Sequence, residues 1–292
     1  MAVLIIGADS KLARTLHPAL ITAGYDVMKT SRRKSEDSFF LELSNVNDFK
    51  IPNDVSHAII IGGVTSYNEC KNNYQYAHKI NCESLPKLAD MFFEKKIHTC
   101  FISTNTVFES VKKLPKEYDT VCPGTAYGSL KAKTETILKN LARKKNCEKL
   151  LAILRLTKNV NYETSPFNEW FKNISEKKEF FAFKDLYFAP IRFIDSSYAI
   201  VKIIERNACG IFHQSGEQDI CYSDFAFGLL RCLDLNTNLV KAVKSSDIGV
   251  NLIYNHNITS LCMDATTSAI NIKPIKLTKI YSYFKENLKN IL

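Results

Sequence analysis

The sequence lacks an apolar run long enough to cross a membrane. Its longest apolar runs, such as residues 3–6 and 58–61, are far shorter than the roughly 20 residues that a membrane helix needs. The N-terminal residues also lack a basic leader and a small-residue cleavage site, because Met1-Ala2 leads directly into the first apolar run. We therefore expect no membrane span and a cytoplasmic location.

The nine cysteines lack any C-x-x-C pair, which is the spacing typical of zinc sites and redox motifs. Their number is odd, and they are spread evenly along the chain. Several lie in apolar stretches, where a free cysteine behaves as a small hydrophobic residue. We interpret all nine as reduced thiols and expect no metal site.

Acidic residues are the smaller charged class, with 30 Asp and Glu against 39 Lys and Arg and a formal net charge of +9. This excess fits an anionic partner such as a dinucleotide, a nucleotide sugar, a nucleic acid or an acidic membrane surface. The basic runs are scattered, and no recognised nucleic-acid-binding motif accompanies them. We therefore expect no nucleic-acid partner, although charge alone does not choose among the other anions.

The first half of the chain alternates short β-branched runs with longer helical patterns, which is typical of strand-helix-strand units around a parallel sheet. Helical periodicity is found at 11–23, around 68–95 and at 125–143. Six strands are predicted, at residues 2–7, 25–30, 39–43, 57–62, 97–103 and 149–156. The pattern predicts an α/β fold with a Rossmann-like, doubly wound parallel sheet.

The order of elements changes after about residue 157, where aromatic-rich loops are predicted. We expect Trp170 and the phenylalanines around it to pack in a core rather than to line a pocket. Further helices are predicted at 195–206 and 278–290, and residues 210–213 could return to the main sheet. We predict a dinucleotide-binding Rossmann domain at 1–156, rejoined by about 187–214, and a smaller, mainly C-terminal substrate lobe formed by 157–186 and 215–292.

A turn that could bind a pyrophosphate follows the first strand, at residues 7–13. A strand that ends in a tight turn at a helix N-terminus presents free backbone N–H groups and a positive dipole end to phosphate. Of the three small positions in the usual glycine fingerprint, only Gly7 is glycine, with Ser10 and Ala13 at the other two. The segment by itself is equally compatible with an ordinary strand-to-helix turn.

The end of the second strand carries no carboxylate, and its residues are Thr30-Ser31-Arg32-Arg33. An acidic residue there usually binds the free ribose hydroxyls of NAD, whereas arginine accommodates the 2′-phosphate of NADP. A solvated basic loop is the alternative interpretation. If a dinucleotide binds, the two arginines favour NADP over NAD.

A Tyr-x-x-x-Lys pair, Tyr127 and Lys131, lies on a predicted helix, and the i, i+4 spacing places both side chains on one face. A phenol titrates near pH 10, so a tyrosine that exchanges protons near neutrality needs a neighbouring cation such as the lysine ammonium. Thr104 follows the fifth strand, at the sheet edge where open α/β folds bind ligands. These three residues are the predicted catalytic group.

Several segments resemble the extended short-chain dehydrogenase/reductases, and most closely the dTDP-4-dehydrorhamnose reductase branch. STNTVF resembles the branch's S-T-D-Y-V-F, and AYGSLKAKTE resembles its Y-G-x-S-K-x-x-G-E. GGVTSYNEC is similar to A-A-Y-T-x-V-D, and the segment that begins GIFHQSG is similar to G-x-Y-H-x-S-G. These segments lie at 103–108, 126–135, 62–70 and 210–226.

The resemblance implies an NADP-dependent oxidoreductase that transfers hydride from NADPH to a keto carbon of a nucleotide-activated sugar, with Tyr127 as proton donor. It implies a catalytic set, a cofactor set and a substrate set of residues. The catalytic set is Thr104, Tyr127 and Lys131. The cofactor set is Gly7, Ser10, Lys11 and Leu12 at the pyrophosphate, Arg32 and Arg33 at the 2′-phosphate, Glu42 and Leu43 at the adenine, Gly62 and Gly63 beside the ribose and nicotinamide, with Tyr127 and Lys131. The substrate set is Thr65, Asn68, Thr104, Asn105 and Tyr127.

Two alternatives stay open beside the reductase. A nucleotide-sugar epimerase of the same fold would regenerate its cofactor in each cycle, whereas a non-catalytic NADP-binding regulatory subunit would consume none. The incomplete glycine fingerprint favours the regulatory subunit, and the intact catalytic group argues against it. A dehydratase is disfavoured because Asn105-Thr106 supplies no carboxylate beside Thr104. The sugar, its nucleotide and the oligomeric state are open, with a homodimer as one option.

Overall fold

A computed structural model describes residues 1–108, 113–252 and 258–288. Strands and helices are numbered here in chain order. The strands are β1 (Ala2–Ile6), β2 (Asp26–Ser31), β3 (Phe39–Phe40), β4 (Val55–Ile60), β5 (His98–Thr104), β6 (Leu151–Leu156), β7 (Lys158–Val160), β8 (Phe180–Phe183), β9 (Tyr187–Phe188), β10 (Pro190–Arg192), β11 (Gly210–Gln214), β12 (Ile220–Cys221) and β13 (Val240–Val243). The helices are α1 (Lys11–Thr22), α2 (Tyr67–Asn72), α3 (Tyr74–His78), α4 (Leu85–Glu94), α5 (Ala126–Lys144), α6 (Phe167–Ser175), α7 (Phe193–Glu205), α8 (Tyr222–Cys232), α9 (Asp264–Ile270) and α10 (Leu277–Leu288).

Seven parallel strands form the central sheet, in the order β11-β6-β5-β4-β1-β2-β3. The strand order reverses at β1, which has β2 on one side and β4 on the other. In doubly wound sheets a crevice opens at this reversal, beyond the carboxyl ends of the strands. The predicted α/β class with a Rossmann-like parallel sheet is confirmed.

Strand β1 explains why this sheet carries helices on both faces. All five of its residues are buried and apolar, as expected for a parallel strand that is covered on both sides. Val3 and Ile5 belong to the core under α1 and α7, whereas Leu4 and Ile6 belong to the core under α4 and α5. The alternation follows from the two-residue period of a β-strand.

The third observed strand departs from the sequence prediction at its end. Strand β3 contains only Phe39 and Phe40, so the predicted end at residue 43 is wrong. The Leu41 N–H still donates to the Ser31 carbonyl of β2, and the chain then turns away, with the Asn45 N–H donating to the Glu42 carbonyl. Strand β11 adds a seventh strand, at the residues that were expected to return to the main sheet.

The segment after β6 contains α6 and β8, so the prediction of aromatic-rich loops there is wrong. Phe167, Trp170, Phe171 and Ile174 are buried along one face of α6, which is the i, i+3, i+4, i+7 pattern of an amphipathic helix. The expectation that these aromatic residues form core is confirmed. Phe181 is the exception, because 58% of it is exposed.

In the described part of the chain, three two-stranded ladders and the helices α6, α8 and α10 build the region beyond the sheet. The ladders pair β7 with β10, β9 with β12 and β8 with β13. Rings from α6, β9, α8 and α10 meet at its centre, where the centroid of Phe167 lies 5.6 Å from that of Phe225 and 5.5 Å from that of Phe284. Edge-to-face and tilted ring pairs at these distances add to the apolar burial.

The chain after residue 258 returns to the edge of the central sheet. The Thr266 hydroxyl of α9 accepts a hydrogen bond of 2.8 Å from the His213 N–H of β11. The His213 ring bonds the Cys262 carbonyl through Nδ1, also at 2.8 Å. The C-terminal part of the chain therefore covers edge strand β11. Among the described residues, no helix combines the length and the apolar character that a bilayer span requires.

Acid should destabilise the protein through His98, which is buried at the start of β5. Burial lowers the pKa of His98 to about 4, although its hydrogen bond to the Ala208 carbonyl opposes this. The unfolded chain, with a histidine pKa near 6.5, then binds the proton first as the pH falls. We expect the free energy of unfolding to fall by about 2 kcal/mol between pH 7 and pH 5 because of His98. Urea unfolding at both pH values measures the loss.

His98→Gln provides the control, because glutamine keeps an N–H donor and does not titrate in this range. The variant should lose less stability than the wild type between pH 7 and pH 5. An identical loss in both proteins would show that His98 does not contribute.

Candidate active site

A cavity of about 660 Å³ lies at the carboxyl edge of the sheet, at the reversal of strand order. Its walls are the residues that follow β1, β2, β4, β5 and β6, together with the first turns of α1, α5 and α7. The cavity extends from the turn after β1 to Tyr127 and Lys131. Volumes of this size are typical of cofactor and small-molecule sites.

The turn after β1 requires glycine only at its first small position. Gly7 has φ +91°, and a Cβ there would lie 2.7 Å from the Cα of Gly62, which follows β4. Ser10 replaces the second glycine and accepts a hydrogen bond of 3.1 Å from the Ala13 N–H, so it caps α1. The missing glycines therefore leave the turn and the start of α1 intact.

The loop after β4 is held by one buried asparagine. The Asn81 side chain accepts from the Val64 N–H at 2.9 Å and donates to the Val64 carbonyl at 2.8 Å. This pair of bonds fixes Gly62, Gly63 and Thr65 along the cavity wall. Asn81 lies in a π-helical turn, Lys79–Ser84, and π turns of this kind are frequent at functional sites.

Lys11 joins the turn to the region beyond the sheet. Its ammonium donates to the Glu163 carbonyl at 3.0 Å, and the side chain lines the cavity. Leu12 lines the same wall and is buried beneath the turn. The turn therefore places a cation beside the N-terminus of α1, where an anion is favoured.

The end of the cavity near β2 carries charges of both signs. Arg32 lines it, as do Glu42 and Leu43. Asp9 also lines it, and the Asp9 carboxylate accepts a hydrogen bond of 3.0 Å from the Ser31 hydroxyl. Asp9 was not predicted from the sequence, because this residue belongs to the first turn and only the fold brings it to the tip of β2.

Thr104, Tyr127 and Lys131 meet at the other end of the cavity, and all three line it. Thr104 is the last residue of β5, whereas Tyr127 and Lys131 are one turn apart on α5. Gly128 allows this approach, because a Cβ on it would collide with the Thr106 carbonyl just after β5. The glycine next to Tyr127 therefore lets α5 pack directly against the end of β5.

The protonation states of this group follow from burial. Burial raises the pKa of Tyr127, and a side-chain hydrogen bond from Thr104 acts in the opposite direction. Burial lowers the pKa of Lys131 to about 8, and nearby Glu135 opposes that shift. The Lys131 ammonium donates to the Ile102 carbonyl at 2.8 Å. The phenol of Tyr127 is therefore protonated at neutral pH, as a proton donor must be.

A buried ion pair lies behind Lys131. Arg155 of β6 donates to both carboxylate oxygens of Glu135, at 3.0 Å from Nε and 2.6 Å from a terminal nitrogen. Both side chains are 1% exposed. The Ser103 hydroxyl donates to the same carboxylate. The network joins α5 to β5 and β6 and so fixes the helix that carries Tyr127 and Lys131.

Two polar residues after β6 line the cavity and were missed by the sequence analysis. The Thr157 hydroxyl is buried without a hydrogen-bond partner among the described residues. Asn159 accepts a hydrogen bond of 2.7 Å from Ser196 on α7. Their position after a predicted strand could have identified them as site residues. No motif surrounds them, so they were not predicted.

Three residues of the expected site do not line the cavity. They are Arg33, Asn68 and Asn105. The Asn105 amide donates to the Thr259 carbonyl at 2.9 Å, so this side chain ties the end of β5 to the C-terminal segment. The backbone N–H of Arg33 donates a hydrogen bond of 2.9 Å to the Ser31 hydroxyl. The remaining expected residues line the cavity together: Gly7, Ser10, Lys11, Leu12, Arg32, Glu42, Leu43, Gly62, Gly63, Thr65, Thr104, Tyr127 and Lys131.

Solved structures with the same fold cover the whole chain. A dTDP-4-dehydrorhamnose reductase ortholog from Clostridium acetobutylicum is 21% identical, with a TM-score of 0.79 over 100% of this chain and 99% of that one. A dTDP-4-dehydrorhamnose reductase from Bacillus anthracis in complex with NADP is 17% identical, with a TM-score of 0.81 over 98% of each chain. A UDP-glucuronic acid 4-epimerase variant from Bacillus cereus, solved with NAD and a fluorinated substrate analogue, is 14% identical, with a TM-score of 0.83 over 100% of each chain.

The family assignment comes from the sequence itself. The family model for the RmlD substrate binding domain matches residues 1–256. No curated protein matches the chain. The resemblance to the dTDP-4-dehydrorhamnose reductase branch is supported by this family match, and the solved reductases share the fold of the chain. The chain belongs to the RmlD substrate binding domain family.

Proposed function

We propose that this protein is an NADPH-dependent reductase of a nucleotide-activated 4-keto sugar. One observation carries the proposal: Thr104, Tyr127 and Lys131 line one end of a cavity whose other end is a phosphate-binding type of turn. Both ends lie along the strand reversal, where an extended dinucleotide binds in this fold. We also propose that residues 1–156 with about 187–214 bind the cofactor, whereas 157–186 and 215–292 supply the sugar-binding lobe.

The residues present fit a dinucleotide. Gly7 lets the turn after β1 pack against the Gly62 backbone. The first turn of α1 offers N–H groups and Lys11 to a pyrophosphate. Arg32 would meet a 2′-phosphate, and Glu42 with Leu43 would flank the adenine. When bound, NADPH supplies the hydride. The Bacillus anthracis reductase binds NADP and the Bacillus cereus epimerase binds NAD, so the fold alone does not select between the two.

The catalytic group has a defined task for each residue. Thr104 donates its hydroxyl to the oxygen of the substrate carbonyl, beside the phenol of Tyr127. Tyr127 gives its proton to the alkoxide that forms at that oxygen. Lys131 stabilises the resulting phenolate by its positive charge. Thr157 and Thr65 line the same cavity, and Thr157 has a hydroxyl available for a sugar.

An epimerase is the second candidate, favoured by the fold it shares with the Bacillus cereus enzyme. A regulatory subunit is the third, and the assembled catalytic group argues against it. A dehydratase lacks support, because the residue beside Thr104 is an asparagine whose amide is held by the Thr259 carbonyl.

Incubation with NADPH and a panel of nucleotide-linked 4-keto sugars should oxidise one equivalent of cofactor per sugar reduced. Absorbance at the nicotinamide band and chromatography of the sugars measure both quantities. Isomerised sugar without net cofactor oxidation would favour the epimerase. Cofactor binding without a change in either compound would favour the regulatory subunit.

A further inference from the structure

Side chains of opposite charge line the end of the cavity near β2. Arg32 supplies a guanidinium immediately after Ser31, the last residue of β2. Asp9 supplies a carboxylate from the turn after β1. The strand tip itself carries no acidic residue, so the carboxylate that NAD-binding sites place there comes from a different segment.

Three hydrogen bonds hold the turn against β2 and fix Asp9. The Gly7 N–H donates to the Thr30 hydroxyl at 3.2 Å, and the Ala8 N–H donates to the Thr30 carbonyl at 3.0 Å. The Ser31 hydroxyl donates to Asp9 Oδ2 at 3.0 Å. Only Oδ2 takes part in that bond, so the carboxylate retains acceptor capacity toward the cavity.

We propose that Asp9 is a cofactor-selectivity residue that disfavours the 2′-phosphate of NADPH and thereby lets the site accept NADH as well. The inference rests on the proposed function, because it requires a nicotinamide dinucleotide in this cavity. The ribose next to the adenine binds at the tip of the second strand in this fold. Asp9 occupies that tip beside Arg32.

The two side chains act on the two cofactors in different ways. A 2′-phosphate carries between about −1.5 and −2 charges, so Arg32 attracts it and Asp9 repels it. A free 2′-hydroxyl is neutral and can donate to the Asp9 carboxylate, as it does to acidic residues in NAD sites. The opposing effects on NADPH should leave a weak preference between the two cofactors.

A purely structural role for Asp9 predicts a different pattern. If the carboxylate only accepted the Ser31 hydroxyl, removal of either partner would disturb the turn to the same extent. Ser31→Ala removes that hydrogen bond and keeps the charge of Asp9. Asp9→Asn keeps the size and an acceptor oxygen, and removes the charge. The pair of variants therefore separates charge from structure.

The test is fluorescence titration of NADPH and NADH into the wild type, Asp9→Asn, Ser31→Ala and Arg32→Ala, at low and high salt. Asp9→Asn should tighten NADPH binding about fivefold at low salt, because a repulsion between exposed charges is lost, and the gain should shrink at high salt. NADH binding should stay within about twofold or weaken. Arg32→Ala should weaken NADPH about tenfold and leave NADH nearly unchanged.

Ser31→Ala should leave the ratio of the two dissociation constants within about twofold of the wild type. An unchanged ratio in Asp9→Asn, a gain that does not depend on salt, or the same ratio change in Ser31→Ala would each overturn the assignment of Asp9. If the wild type binds neither dinucleotide, the proposed function fails and this inference fails with it. If the wild type binds both and Asp9→Asn leaves the ratio unchanged, only the inference on Asp9 fails.

Discussion

Tyr127→Phe should lower sugar-dependent NADPH oxidation by about 10³-fold, within the range of general acid catalysis. The variant lacks only the hydroxyl that we assign to protonation of the alkoxide. NADPH binding should stay within about threefold of the wild type, because the phenyl ring still fills its place on α5 beside Gly128. Steady-state kinetics and fluorescence titration measure the two effects separately.

Tyr67→Phe is the matched control for that experiment. The Tyr67 ring lies 5.2 Å from the Tyr127 ring, and burial raises its pKa to about 12. Tyr67 does not line the cavity. We expect the control to retain turnover within about fivefold, since no proton transfer is assigned to it. Equal losses in both variants, or full activity in Tyr127→Phe, would contradict the role of Tyr127.

Glu135→Gln should destabilise the fold by about 3–5 kcal/mol, because it leaves the Arg155 guanidinium buried without a counter-charge. Both partners are 1% exposed, so water does not compensate the loss. A change of that size corresponds to a fall of about 5–8 °C in the midpoint of thermal unfolding for a chain of this length. Calorimetry or urea unfolding at pH 7 measures it.

A surface pair provides the control for Glu135. Lys202 and Glu205 form an ion pair on α7 that is about one-third exposed. Glu205→Gln should change stability by less than about 1 kcal/mol, because solvent screens the pair. The double variant Glu135→Leu with Arg155→Met should recover most of the lost stability, since it removes both charges. A change below about 1 kcal/mol in Glu135→Gln would contradict a buried, unscreened pair.

Much of the fold could be predicted because its signals are local. The apolar runs of β1, β4, β5 and β6 and the periodicity of α5 depend on the chemistry of consecutive residues. Tyr127 and Lys131 share a helix face by spacing alone. Thr104 could be placed at the sheet edge because it follows a buried strand. These features needed no knowledge of distant contacts.

The sequence misled where an element depends on its partners. Phe167 and Trp170 belong to a helix whose apolar face is buried against α8, α10 and β8. Asn105 follows Thr104 directly, yet its amide bonds a carbonyl more than a hundred residues later. The Asn105 contact has no local signature, because its partner lies far along the chain. The helical spacing of the buried residues in α6 is a local signature, and it was not recognised in the sequence.

The sequence by itself determined the parallel α/β fold, the helix that carries Tyr127 and Lys131, and the turn after β1, which begins at a glycine. Tertiary structure alone decided which charges and hydroxyls share the cavity. Asp9 reaches Ser31, Arg155 reaches Glu135, and Thr157 faces the cavity without a partner among the described residues. Periodicity along a chain sets the side on which a residue lies, whereas the packing of separate strands and helices sets what it meets there.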